Sequence, residues 1–190
     1  MTARWWAGAP GPAVVPDVHL LAAVDWALAG SGAAAELVCT HVDRSAATPR
    51  TGVALRLTGA PAAPEATREA LARVLGGPVL TAGSGSAPGP AQVALREARS
   101  GAAGRCVRFP GQAAVPGRVR AGDLVESTAI EEVVGLTGPV DADAVIDTAG
   151  FLRPQWAGGR LTLLVERAAG GVFQPFEVEF PHECCGGAGH

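Results

Sequence analysis

Between Glu36 and Pro110 the hydrophobic period switches back and forth between two residues and three to four, and this switching limits the fold more than any other feature of the chain. Glu36 to Val42 alternates imperfectly. Gly52 to Thr58 alternates cleanly, with Val53, Leu55 and Leu57 on one face and Ala54 and Arg56 on the other. Pro64 stands at a first helical position, and Gly76-Gly77 ends the helix it opens. A short strand over Pro78 to Ala82, a helix over Pro90 to Arg99 and a strand over Arg105 to Phe109 complete the series. The reading is an α/β fold with a β-α-β-α-β region over residues 36–110 and helices covering the sheet. A ferredoxin-like split arrangement would give a similar series.

On the N-terminal side, Trp5 and Trp6 precede a stretch rich in proline and glycine and are expected to anchor an extended segment. A helix is predicted from Asp17 to Gly30, with Val18, Leu21, Val24 and Leu28 along one face. On the C-terminal side, the pattern predicts a short helix over Leu124 to Leu136 and a strand over Ala144 to Asp147. An antiparallel hairpin follows, with Leu161, Leu163 and Val165 alternating on one arm and Val172, Phe176, Val178 and Phe180 on the other. Pro175 cannot donate to a ladder, so its arm is expected to be an edge strand or bulged there. The chain thus divides into an α/β region over 1–112, a smaller C-terminal α+β part over 113–181 packed with it as one unit, and a Cys/His tail over 182–190.

Composition excludes several classes of function. All 15 basic residues are arginine, so any mechanism that requires a lysine is ruled out. With a net charge of −3 and arginines scattered from Arg4 to Arg167, the chain has no basic stripe for nucleic acid. No run of about 18 apolar residues would span a membrane, and the N-terminus lacks the pattern of a signal peptide. The expectation is a cytoplasmic protein whose four cysteines are free thiols or metal ligands rather than two disulfides.

The tail Pro181-His-Glu-Cys-Cys-Gly-Gly-Ala-Gly-His190 carries the most specific chemistry. His182, Cys184, Cys185 and His190 supply thiolate and imidazole, the donors that select zinc, copper(I) or an iron–sulfur centre. Adjacent cysteines chelate one tetrahedral ion less readily than a C-x-x-C pair, so Cys184-Cys185 also fits a vicinal disulfide or a single ligand beside a spectator. A C-terminal Cys-Cys is similar to the tail of mercuric reductases, and that resemblance, confined to these two residues, implies a thiol relay.

Cys39 and Cys106 fall in predicted strands among apolar neighbours, where free cysteine usually packs as core. His41, two residues after Cys39, shares its strand face, which makes the two additional candidate metal ligands or a nucleophile and its base; no orienting partner is evident. The loop Gly83 to Gly89 lies between a strand and a helix but has Pro88 where a dinucleotide fingerprint needs its third glycine. Asp147 and Gly150 resemble the Asp-x-x-Gly segment of small GTPases, but the phosphate loop and its lysine are missing. Asp141, Asp143, Asp147, Glu131 and Glu132 read as capping and solvated acids rather than a calcium loop. The expected function is therefore soft-metal binding or thiol redox through the tail, with a non-catalytic accessory module that binds a protein partner as the alternative.

Overall fold

The computed structural model describes residues 5–11, 16–81 and 89–179. Strand β1 (Trp5–Gly8) is followed by helix α1 (Asp17–Leu28), strands β2 (Ala35–Asp43) and β3 (Arg50–Leu57), helix α2 (Pro64–Leu75), strand β4 (Leu80–Thr81), helix α3 (Pro90–Ser100) and strand β5 (Arg105–Arg108). The helices of this half start on the expected residues; α1 stops at Leu28, short of Gly30, and α3 at Ser100, just past Arg99. Prolines occupy the first turns of α2 and α3, and Gly76 and Gly101 take up the left-handed conformation just beyond them, at φ 72° and 64°. The C-terminal half adds β6 (Arg118–Arg120), α4 (Ala121–Ser127), β7 (Glu132–Gly135), β8 (Val145–Asp147), β9 (Gln155–Ala157), β10 (Arg160–Arg167) and β11 (Phe173–Pro175). None of the helices among the described residues is long and apolar enough to cross a membrane.

The eleven strands of the described residues belong to one mixed sheet, in the order β4-β1-β3-β2-β5-β9-β10-β11-β8-β6, with β7 pairing in parallel to β10. Strands β1, β2, β3 and β5 run antiparallel to their neighbours, so the helix between β4 and β5 does not make a parallel crossover unit. One face of this half-sheet (Trp6, Val38, Val53, Leu55, Leu57 and Val107) is covered by α1 and α2. The other face (Trp5, Leu37, Cys39, Ala54 and Cys106) is covered by α3 and continues into the core of the C-terminal part through Leu124, Ile146, Leu161 and Phe173. Burial on both faces explains why β2 alternates imperfectly: Leu37, Val38 and Cys39 are all buried.

A bulge sets the phase of β5. Val38 lies opposite Arg108, but Cys39 lies opposite Cys106, so Val107 is an extra residue on β5. Without it Cys106 would fall on the Val38 face, because a slip of one residue exchanges the two faces of a strand. With it Cys106 points to the α3 side, while Arg105 and Arg108 reach Asp17 and Asp25 of α1 on the other.

Three local expectations are corrected. The helix predicted over Leu124 to Leu136 is instead α4, ending at Ser127, followed by strand β7. The Thr128 hydroxyl donates to Leu124 O and accepts from Ile130 N, which closes the helix and turns the β-branched Val133 and Val134 into a strand. Helix α1 buries Leu20, Val24, Ala27 and Leu28 and leaves Val18 exposed at 67%; apolar residues lie all round it, so periodicity could not pick the face. In the hairpin the phase of the second arm is reversed: Phe173 and Pro175 face inward, and Phe176 and Val178 are exposed. Pro175 pairs with Val165, and β8 contacts β11 only at Phe173, so the missing N–H falls where no second strand needs it.

Gly52 lets α3 approach the sheet. A Cβ there would fall onto the Pro90 carbonyl and lie 2.9 Å from Ala94 Cβ. Gly52→Ala is expected to destabilise the protein by about 1–3 kcal/mol through overpacking, read as a lower denaturant midpoint at unchanged slope.

Candidate functional site

Leu37, Cys39 and His41 follow one another on the α3 face of β2, and the bulge in β5 places Cys106 directly opposite Cys39. Cys106 N donates to Pro154 O at 2.8 Å rather than to β2. The two cysteines therefore meet as a non-hydrogen-bonded pair, in which facing Cα atoms stand about 4.5 Å apart. That lies within the roughly 4.4–6.8 Å that a disulfide bridges. Both are free thiols and both are completely buried.

His41 is also sealed, with none of its side chain exposed, and its Nδ1 lies 3.1 Å from Glu97 Oε2 on α3. A carboxylate only accepts, so Nδ1 carries the hydrogen and Nε2 is left toward the thiols. Glu97 is 24% exposed and links the buried ring to solvent. The orienting partner missing from the sequence reading is thus Glu97, which fixes the His41 ring on the strand face it shares with Cys39.

Two glycines leave room beside the site. A Cβ on Gly104 would collide with the His41 ring, and one on Gly101 would lie 2.9 Å from Gly159 Cα and 3.1 Å from Trp156 Cε3. Trp156 N donates to Gly104 O at 2.8 Å, and Gly159 N to Gly101 O at 3.1 Å, which holds β9 and its turn beside β5. His41 Nε2 and Trp156 Nε1 are buried without a well-aligned partner among the described residues. Both stand near enough to the Cys39 sulfur to favour its charge.

Burial pushes the Cys39 thiol up, but the Cys106 thiol, the His41 ring and the Trp156 indole grouped around the sulfur outweigh it and bring the group down to about 6. Cys106 moves the opposite way: it donates to Cys39, is buried, and faces the charge that Cys39 carries, so its thiol is held well above the usual range. One proton is shared by the pair, and Cys39 is the sulfur that gives its own up.

Among the described residues no three His, Cys, Asp or Glu side chains are gathered as a metal ion requires. His182, Cys184, Cys185 and His190 lie outside the described residues, as does the loop up to Pro88. The acids of the C-terminal part have other partners: Asp147 accepts from Arg118 at 2.9 Å, Asp143 lies 3.7 Å from Arg120, and Glu131 accepts from Leu161 N at 3.3 Å. Sequence reasoning placed Cys39 and His41 on one face but missed Cys106, Glu97 and Trp156 as their companions. The available signal was Ala94 and Ala98 flanking Glu97, small residues that let a helix bring a carboxylate close to a strand. Compared with known proteins, the chain matches no family model, no curated protein and no solved structure.

The two thiols make opposite contributions to stability. Cys39 ionises near 6 when folded and near about 8.5 when unfolded, so its contribution is complete above the unfolded value and is lost as pH falls through 6. Cys106 is raised on folding, so its contribution is present below about 8.5 and is lost as pH rises beyond it. The stability of the protein relative to Cys39→Ser/Cys106→Ser should rise from pH 6 and peak near about 8.5. A difference that stays flat across this range in urea titrations would mean that the two thiols do not share a proton.

Proposed function

We propose that this chain is a thiol-redox protein of a reducing compartment, the cytoplasm, and that its reactive pair is Cys39 and Cys106. The observation that supports the reading is the non-hydrogen-bonded register of the two cysteines beside the His41–Glu97 pair. In the oxidative direction a bond forms between the two sulfurs, two electrons pass to the oxidant, and the two thiol protons leave. A dithiol reductant returns them.

A second reading rests on the sequence: the tail residues His182, Cys184, Cys185 and His190 bind zinc, copper(I) or an iron–sulfur centre. Metal analysis of protein purified without oxygen, before and after Cys184→Ala/Cys185→Ala, tests it. Stoichiometric metal lost in the variant is the expected sign of that activity.

For the main reading, the native chain is treated with diamide, alkylated, unfolded and mapped by mass spectrometry. The expected product is a Cys39–Cys106 disulfide that dithiothreitol reverses, that persists in Cys184→Ser/Cys185→Ser and that disappears in Cys39→Ser. Oxidation confined to Cys184 and Cys185 would move the redox chemistry to the tail. No oxidation and no metal would leave an accessory module with incidental thiols.

A further inference from the structure

Resting on the thiol-redox reading, we propose that the oxidant taken by this site is hydrogen peroxide, attacked by Cys39, with Cys106 as the resolving thiol and the His41–Glu97 pair as the proton path to solvent. Size is the first argument. Cys39, Cys106 and His41 are 0%, 0% and 2% exposed, with the His41 ring packed against Gly104. Thiol–disulfide exchange passes through a mixed disulfide, so a third sulfur and the chain that bears it would have to stand in line with the bond being broken. A peroxide needs only the room of one or two waters.

Polarity is the second. His41 Nε2 and Trp156 Nε1 are buried polar atoms without aligned partners, beside the sulfur to be oxidised. Trp156 Nε1–H can donate to a peroxide oxygen, and His41 Nε2 can exchange a proton with the thiol and the departing oxygen. Glu97 is a positioning residue: it holds Nδ1 and keeps Nε2 turned inward. The low pKa of Cys39 agrees with this assignment of roles.

The chemistry closes in two steps. His41 Nε2 takes the Cys39 proton, the thiolate attacks one peroxide oxygen, an S–O bond forms, and the O–O bond breaks. The leaving hydroxide takes the proton from Nε2 and departs as water, leaving a sulfenic acid on Cys39. Cys106 sulfur then attacks Cys39 sulfur, the S–S bond forms, the S–O bond breaks, and hydroxide leaves as water with the Cys106 proton. Overall, two thiols and one hydrogen peroxide give one disulfide and two waters.

The test uses the full chain carrying Cys184→Ser/Cys185→Ser, so that only the buried pair reports. Disulfide closure is timed at equal concentrations of hydrogen peroxide and oxidised glutathione. Peroxide is expected to act at least about ten times faster, because the larger disulfide must wait for local opening. In Cys106→Ser, dimedone present while the peroxide-treated chain is unfolded should trap a sulfenic acid at Cys39. His41→Gln should slow the peroxide reaction about a hundredfold, the ordinary scale of lost acid–base assistance. Glu97→Gln, on a partly exposed side chain and so compatible with folding, should shift the pH profile of the rate upward. Oxidised glutathione acting as fast as peroxide would overturn the inference and leave the thiol-redox reading standing. So would a sulfenic acid on Cys106, or a peroxide rate and pH profile that neither variant alters. Failure of every oxidant to close the disulfide would end both.

Discussion

Strand β5 joins the two halves of the sheet, and it has only four residues in which to do so. Arg105 is the group that makes this short seam hold. Its guanidinium binds Asp17 of α1 through two parallel bonds of 3.0 Å and Glu177 near the end of the described chain, and Arg153 adds a 2.7 Å bond to Asp17. Burial alone would raise the Asp17 carboxyl; the bonds and charges of Arg105 and Arg153 outweigh it and hold the group below its ordinary range. Arg108 binds Asp25 in the same two-pronged way, at 2.6 and 2.7 Å. Planar forks facing carboxylates fix direction as well as distance. They fasten α1 to one side of β5 and so commit Cys106 to the other.

The bulge at Val107 is what makes this arrangement compatible with a packed interior. Both arginines can reach α1 while Cys106 turns inward only because β5 carries one residue more than β2 at that point. A regular strand would put Cys106 on the α1 face and Arg105 on the face that packs against α3. An arginine turned to that face would lose Asp17 and Glu177, and burying it without them would leave its desolvation largely unrepaid. The electrostatic seam and the thiol pair are therefore two results of one irregularity.

Much of the first half of the fold was legible because its signals are local. Pro64, Pro90 and Gly76 mark helix ends through their own backbone preferences, and the alternation of Val53, Leu55 and Leu57 reports a face that one layer of helices covers. What the sequence concealed depends on pairing. Nothing in Arg105-Cys-Val-Arg108 shows a bulge, because a bulge belongs to the relation between two strands. Strand β7 was hidden inside a helical pattern because it gains its hydrogen bonds from β10, some thirty residues later. Of the site, Cys39 and His41 were readable as neighbours by a period of two, whereas Glu97 looked like any exposed acid until α3 was laid across Gly52.

The remaining question is whether this site is more than a pair of small buried residues. Two apolar side chains would fill the same space without difficulty, and cysteine often serves in that way. The neighbours argue otherwise. Leaving a buried donor or acceptor unmatched costs about 1–3 kcal/mol, and here the His41 ring and the Trp156 indole each present such an atom beside the same sulfur. An interior selected for packing alone would fill these places with leucine or phenylalanine and avoid the loss. If Cys39 instead carries negative charge, even transiently, both groups gain a partner, and Glu97 supports the positive charge that His41 then holds. Atoms that are a liability around a neutral thiol become the stabilising shell of a thiolate, and that difference favours a chemical role for the pair over a purely structural one.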